Sequence, residues 1–485
     1  MRRAFCLLCC LLFLPSAFFF SAGAADAYTY PEPEVLQIDL VMQPYRYLRM
    51  IHSSEKQKYE AVVSINGGEM QQIGVQVRGS GSLKEGMEMP SKRIPMELCF
   101  DYADRNGTFR GNPSLKLVNC LTPARVLTQL VAMEAFAFLG IPTPRVTPAF
   151  IRINDTDFGM YLAVEDLNEA FAEDRFGSGA SLYRPLSPKD DPEETETFLF
   201  DLVPMVTKTD GGSDTVDRYV EALERGEDLE PFYDVDEFLR FMACETFILN
   251  DDGFIFYDRN FYLADDHGKL KLLPWDKDDV FSMFTDLKGY REMESRCNTL
   301  FQKLTENGAY YAKYVEYIRR LNDGFLRPDR FLPWLESYIR LLSPYLERDG
   351  TIQKFSDDVL AELTTGNALY NTMTGNLLLT FQTYHDQAEA VLDGRAESFS
   401  IPPGAALTLY QGEHAAEPES GGRSVIFRVC AGYWRLQRQA FLHSEGKTTL
   451  VIGVFFAVVF ILTLICVYRP RRSRRRDKHT GGTST

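Results

Sequence analysis

The stretch LNDDGFIFYDRNFYLADDHGKLKLLPWDKDD, Leu249–Asp279, decides the reading of this chain. FYLA (Phe261–Ala264) alternates as a strand, DDHG (Asp265–Gly268) is a turn, and KLKLL (Lys269–Leu273) returns as the second strand of a hairpin. With that turn Asn260 falls opposite Leu273, so Asn260 and Asp276 leave the hairpin at the same end. The loop carrying Asp251 and Asp252 feeds into that end as well. Carboxylates and one amide gathered at one spot are hard oxygen donors, suited to Mg²⁺ and to the phosphates it carries. Asp and Asn are also ordinary turn residues. The ordered set, with Pro274-Trp275 before Asp276 and an apolar helix delivering the Asp pair, favours a phosphate and metal site.

Outward from this segment, Val235–Leu249 reads as that helix, with Asp234 at its N-cap and Glu237 three residues on. The first third of the body alternates as strands at Val35–Met42, Tyr59–Ile65, Gln71–Gly79 and Ile94–Phe100, with Leu115–Asn119 a further candidate. Asn66-Gly67-Gly68 is a hairpin turn between two of them. Ala124–Gly140 has helical spacing, Pro123 at its start and Gly140 at its end. Thr147–Ile153 and Gly159–Asp166 return to strand, and from Met293 to about Arg395 the chain is helical.

Both ends carry membrane signals. Residues 1–24 have Arg2 and Arg3, an apolar stretch and Ala22-Gly23-Ala24, the pattern of a cleaved signal peptide. Residues 448–468 hold an uncharged run of twenty residues from Thr449, about 30 Å as a helix. Six Arg and one Lys follow in the tail 469–485, which the positive-inside rule makes cytoplasmic. The expected layout is therefore a globular domain over 25–400, a spacer over 401–447, one spanning helix and a basic tail: a single-pass type I membrane protein with its body outside the cytoplasm.

The net charge is −16; the leader adds +2 and the tail +6, so the body carries about −24. Such a surface repels nucleic acid, which is excluded as a partner. Of nine Cys, Cys99, Cys120, Cys244, Cys297 and Cys430 lie in the body, widely spaced and without a CxxC, so neither a disulfide framework nor a zinc site is indicated. No GxSxG motif supports a nucleophilic triad. Asn106-Gly107-Thr108 and Asn154-Asp155-Thr156 match glycosylation acceptors, relevant only in a eukaryotic host.

VRGSGS (Val77–Ser82) reads as a glycine-containing hairpin turn in which backbone N–H groups and Arg78 can hold phosphate. Lys92, at the head of the next strand, reaches the same phosphate as a point charge, and Glu165, ending a strand, pairs with that Lys.

Together these pieces resemble the CotH family, the spore-coat-protein-H-like kinases. The resemblance rests on IGVQVRGSGS, LGIPTPR (Leu139–Arg145), INDTDFGMYLAVEDLNEAF (Ile153–Phe171), LNDDGF, RNFYL (Arg259–Leu263) and LLPWDKDD (Leu272–Asp279). It implies an α+β, divergent two-lobed protein-kinase-like fold, with an antiparallel β-rich N-terminal lobe and a mainly helical C-terminal one. It also implies ATP with Mg²⁺ or Mn²⁺, and Ser/Thr phosphorylation of proteins at the cell or spore surface. In protein kinases a catalytic Asp, an Asn, a strand pair and a metal-binding Asp occur in this order. Carried over, Asp252 is the catalytic residue, with Asp251 the alternative one position earlier. Asn260, Asp276 and Asp278 hold the metal. Arg78, Gly79, Ser80 and Lys92 hold the phosphates, with Glu165 positioning Lys92 and Arg93 able to substitute for it. A catalytically silent surface protein on the same scaffold and a carbohydrate-binding module are the competing readings.

Overall fold

The computed structural model describes residues 28–52, 57–79, 81–89, 92–120, 123–185, 196–197, 204–209, 211–250, 252–257, 259–278, 280–281, 299–349, 368–396 and 428–437. The chain divides into two compact units, Met1–Tyr433 and Trp434–Thr485; of the second, residues 434–437 are described. Ser80, Asp251 and the runs at 1–24 and 448–468 lie outside the described residues.

Seven strands close into a barrel: β1 (Leu36–Val41), β2 (Tyr59–Ile65), β3 (Gln71–Val77), β4 (Met96–Cys99), β5 (Ser114–Val118), β6 (Val146–Ile153) and β7 (Thr156–Glu165), in the order β1-β2-β3-β4-β5-β7-β6. All pairs are antiparallel except β1–β6, whose parallel pairing from Leu36↔Ala149 to Leu40↔Ile153 closes the ring. Alternation drives the closure. Leu36, Ile38, Leu40, Ala61, Val63, Ile73, Val75, Leu98, Leu117 and Ile151 all turn into one buried core, and a closed ring leaves no strand edge unpaired. The β2–β3 turn forms at Asn66 and Gly67, both with positive φ, as the hairpin signal predicts.

A second sheet has the order β12-β11-β8-β10-β9, with β8 (Ser181–Pro185), β9 (Glu196–Thr197), β10 (Pro204–Thr209), β11 (Phe261–Asp266) and β12 (Lys269–Pro274). The helices Pro123–Phe138, Val235–Phe247, Gly308–Arg320, Pro328–Arg348 and Ala368–Leu392 contribute to the largest apolar core. Asp234 caps the Val235–Phe247 helix by accepting from the Glu237 N–H at 3.1 Å, as its sequence indicates.

The expected two-lobed, kinase-like fold with a spanning helix is corrected by this architecture. In place of the expected antiparallel β-rich lobe and helical lobe stand a closed seven-stranded barrel, a separate small sheet and the helices. Among the described residues no helix is long and apolar enough to cross a membrane. VRGSGS is not a hairpin turn either. The chain leaves β3, takes positive φ at Gly79 and enters a helix, Gly81–Glu88, before β4 begins. The acceptor-like Asn154 is fully buried: its amide bonds both the N–H and the C=O of Met42, at 2.8 and 2.7 Å, so it is closed to glycosylation.

Candidate functional site

The β11–β12 hairpin turns on two residues, His267 and Gly268, both with positive φ. Asp265 and Asp266 therefore belong to β11, with Asp265 Oδ1 accepting from the Gly268 N–H at 2.8 Å. This corrects the expected register: Tyr262, not Asn260, faces Leu273, and Phe261 faces Pro274. Asn260 stands just before the paired stretch and Asp276 just after it, so both still sit at one end of the hairpin. Both have positive φ without being glycine, as does Leu249 at the end of the Val235–Phe247 helix. Clustered backbone strain of this kind persists where the surroundings over-determine it.

Those surroundings are specific. Asn260 Nδ2 donates to Asp252, to the backbone oxygen at 2.6 Å and to Oδ2 at 3.1 Å. With the nitrogen donating to Asp252, the amide oxygen is the atom of this side chain that could ligate a cation. Arg259 forms an ion pair with the same Asp252 carboxylate. Lys277, fully buried, donates to Asn260 O at 2.6 Å and pairs with the equally buried Glu245 at 2.6 Å. Lys277 thus ties the Asp276–Asp278 turn to the helix that delivers Asp252. Glu245 also accepts from Asn250 Nδ2 at 2.9 Å. A Cβ at Gly253 would lie 2.1 Å from that nitrogen, so the chain passes here only without a side chain. Asp276 and Asp278 are half-buried. Among the described residues no group of three or more His, Cys, Asp or Glu side chains is close enough to hold a metal by itself. Two carboxylates, an amide oxygen and ligand phosphates are the set Mg²⁺ commonly takes, and Asp276, Asp278 and Asn260 are of that chemistry.

The basic half comes from the barrel's outer face. Lys116 on β5 lies opposite Glu97 of β4 and forms a buried ion pair with Asp166, which follows β7. Asp166 also accepts from Ser114 Oγ at 2.7 Å. The Lys116 ammonium lies 4.6 Å from the centre of the Trp275 ring, and the Arg78 guanidinium 5.5 Å from it. Trp275 meets Tyr262 edge-on at 5.5 Å. The barrel's cations and the hairpin's acids therefore meet at Trp275, the residue before Asp276.

Burial pushes the Asp166 carboxyl up, but Lys116, Ser114 and Lys208 outweigh it and hold the group below its ordinary value. Burial pushes the Lys116 ammonium down, with Arg78 adding to the effect against the pull of Asp166. An aspartate with a depressed folded pKa contributes stability above its unfolded value, near pH 4, and loses it as pH falls through the folded one. Asp166→Asn is accordingly expected to be less stable than the parent at pH 7, with a gap that narrows below about pH 4. Melting temperatures of both proteins from pH 2.5 to 7 check this; a gap independent of pH rejects the assignment.

The expected phosphate grip changes membership. Lys92 donates to Met87 O at the C-terminal end of the Gly81–Glu88 helix, where a cation is favoured. Glu165 pairs with Arg145 at 2.6 Å and Arg175 at 3.2 Å. The two form no ion pair with each other, which corrects the expectation that Glu165 positions Lys92. Arg93, the substitute, is fully buried and bound to Asp349. Strand alternation explains the shift: Glu165 pairs in register with Leu115, so the neighbouring Lys116 and Asp166 turn to the other face. The missed signal was a Lys in the apolar strand LKLVN, where a charge is kept only with a partner.

With this geometry in hand, comparison with known proteins is informative. The family profile described as CotH kinase protein matches residues 75–390, more than half of the chain. The chain belongs to the CotH family. Inner spore coat protein H of Bacillus subtilis (strain 168) is similar, 22% identical over 293 residues that cover 54% of this chain and 78% of that protein. The matched region contains every CotH-like motif quoted above apart from the first two residues of IGVQVRGSGS. The expected single-pass type I membrane placement is corrected to what the described residues show: none of their helices is long and apolar enough to cross a membrane, and the run at 448–468 lies outside them.

Proposed function

We propose that this CotH-family chain transfers the terminal phosphoryl group of ATP, with Mg²⁺ or Mn²⁺, to Ser or Thr hydroxyls of spore-surface proteins. The observation that carries the reading is the pairing of Asp252 with Asn260 at one hairpin end, beside the seat of Arg78 and Lys116 on Trp275. Phosphoryl transfer needs a carboxylate at the acceptor hydroxyl, oxygen donors for a divalent cation and fixed cations for the phosphates. Asp252 orients the hydroxyl and takes its proton. Asn260 and Asp276, with Asp278 following, supply oxygens for the cation. Arg78 and Lys116 face the phosphates, Gly79 lets the backbone turn beside Arg78, and Asp166 pairs with Lys116 and holds it in place. When bound, the metal–nucleotide supplies the phosphoryl group and neutralises its developing charge.

A ligand that binds only the native state raises its stability by about 2.7 kcal/mol at a hundred times its Kd. ATP with Mg²⁺ is expected to raise the melting temperature, ATP with EDTA to raise it less, and labelled phosphate to appear on Ser or Thr of co-expressed coat proteins. The absence of both a nucleotide-dependent shift and phosphate transfer would reject the proposal. A second reading, a catalytically silent coat scaffold, is favoured by the Arg259–Asp252 ion pair, which occupies the carboxylate in this structure. Partner binding that survives Asp252→Asn together with Asp276→Asn would support it.

A further inference from the structure

Two cations share one aromatic ring in this molecule. Lys116 comes from β5 and Arg78 from the end of β3, yet both stand against Trp275, which belongs to neither the barrel nor its loops. Like charges so close repel one another; Arg78 is among the groups that depress the Lys116 ammonium. What holds them is the negative face of the indole and the buried Asp166. The indole is itself fixed, edge-on against Tyr262 and in the small core of Leu167, Phe171, Leu182 and Leu273. The next residue, Asp276, has a φ of 53°, so the backbone that presents its carboxylate leaves directly from the clamped ring.

We infer that Trp275 is a positioning residue that seats Arg78 and Lys116 as a paired receptor for a linear polyphosphate and sets that receptor's place relative to Asp276. This rests on the proposed phosphoryl-transfer reading for its purpose, but not for its geometry. A polyphosphate chain draws both cations towards itself, which changes the field at the indole and hence its emission. Phe keeps an aromatic face for the cations; Leu keeps bulk and loses the face.

The test uses inorganic tripolyphosphate without metal, titrated into the full chain and its Trp275→Phe and Trp275→Leu variants, with calorimetry for affinity and emission for the ring. The parent is expected to bind, with an emission change that is absent from Trp275→Phe. Trp275→Phe should bind within about threefold of the parent, and Trp275→Leu about tenfold more weakly. With ATP and Mg²⁺, Trp275→Leu should raise KM for the nucleotide more than it lowers kcat. Equal tripolyphosphate affinity in all three proteins overturns the inference, as does no binding by the parent. A lower melting temperature for Trp275→Leu with unchanged affinity leaves it a packing residue only, and also overturns it. If tripolyphosphate binds as stated but no phosphate is ever transferred from ATP, the catalytic reading fails and the seat stands.

Discussion

Asp349→Ala is expected to cost about 3–5 kcal/mol of stability, because it strands a buried guanidinium. Asp349 follows the Pro328–Arg348 helix and is 2% exposed; Arg93 precedes β4 and is 1% exposed. Their contact is a fork: Arg93 Nη1 donates to Oδ1 at 3.2 Å and Nη2 to Oδ2 at 2.7 Å, while Oδ2 also accepts from the Met160 N–H at 2.7 Å. The Arg93 guanidinium also lies over the Tyr161 ring at 5.6 Å and donates to Met160 O. The backbone is shaped to admit the acid: Gly159 has a φ of 104°, and a Cβ there would stand 2.3 Å from Oδ2. This knot joins the barrel to the end of the 21-residue helix Pro328–Arg348. Denaturant midpoints check the cost. Arg93→Met with Asp349→Leu should recover much of it, since apolar groups of similar volume leave no charge unpaired. A midpoint unchanged in Asp349→Ala would mean that the helix end releases Arg93 to water instead.

The contrast between Arg93 and Lys116 shows what the sequence makes legible. The strands β1 to β7 and the Val235–Phe247 helix follow from local alternation and capping, and they appear within a few residues of their expected bounds. The barrel's closure does not, because β1–β6 pairing joins residues more than a hundred positions apart and leaves no local mark. At the site, Asp252, Asn260 and Asp276 come from one short segment, so their gathering is readable from the hairpin alone. The cations come from separate strands, where a one-residue step decides the face. Lys92 and Arg93 look like the exposed head of a basic strand, and the fold spends one on a helix end and the other in the core. Lys116 looks like an interruption in a buried strand, and only Asp166 and Trp275, distant in sequence, show its use. The Gly81–Glu88 helix was hidden for a similar reason: a glycine-rich turn and a helix start share the same residues.

Asp252→Asn is expected to lower the rate of phosphate transfer by about a hundredfold to ten-thousandfold, the usual contribution of a positioned general base. The substitution is nearly isosteric. An amide oxygen at the same place still accepts from Asn260 Nδ2, so the loop geometry should persist. What is lost is the charge that draws the acceptor's proton, and with it the ion pair to Arg259. Nucleotide affinity should therefore hardly change, since Arg78 and Lys116 are untouched. Asp276→Asn should behave differently, demanding more Mg²⁺ for half-maximal transfer because one anionic oxygen donor is gone. Single-turnover transfer of labelled phosphate, measured against Mg²⁺ and ATP concentration in both variants, separates the roles. Asp252→Asn that works within threefold of the parent would remove Asp252 from the chemistry. Two variants that fail in the same way, with the same shift in Mg²⁺ demand, would instead make both side chains ligands of one cation. Distinct failures are what the geometry favours: Asp252 is engaged by an arginine and an amide, while Asp276 follows the clamped indole on a strained backbone, held from behind by the buried Lys277–Glu245 pair.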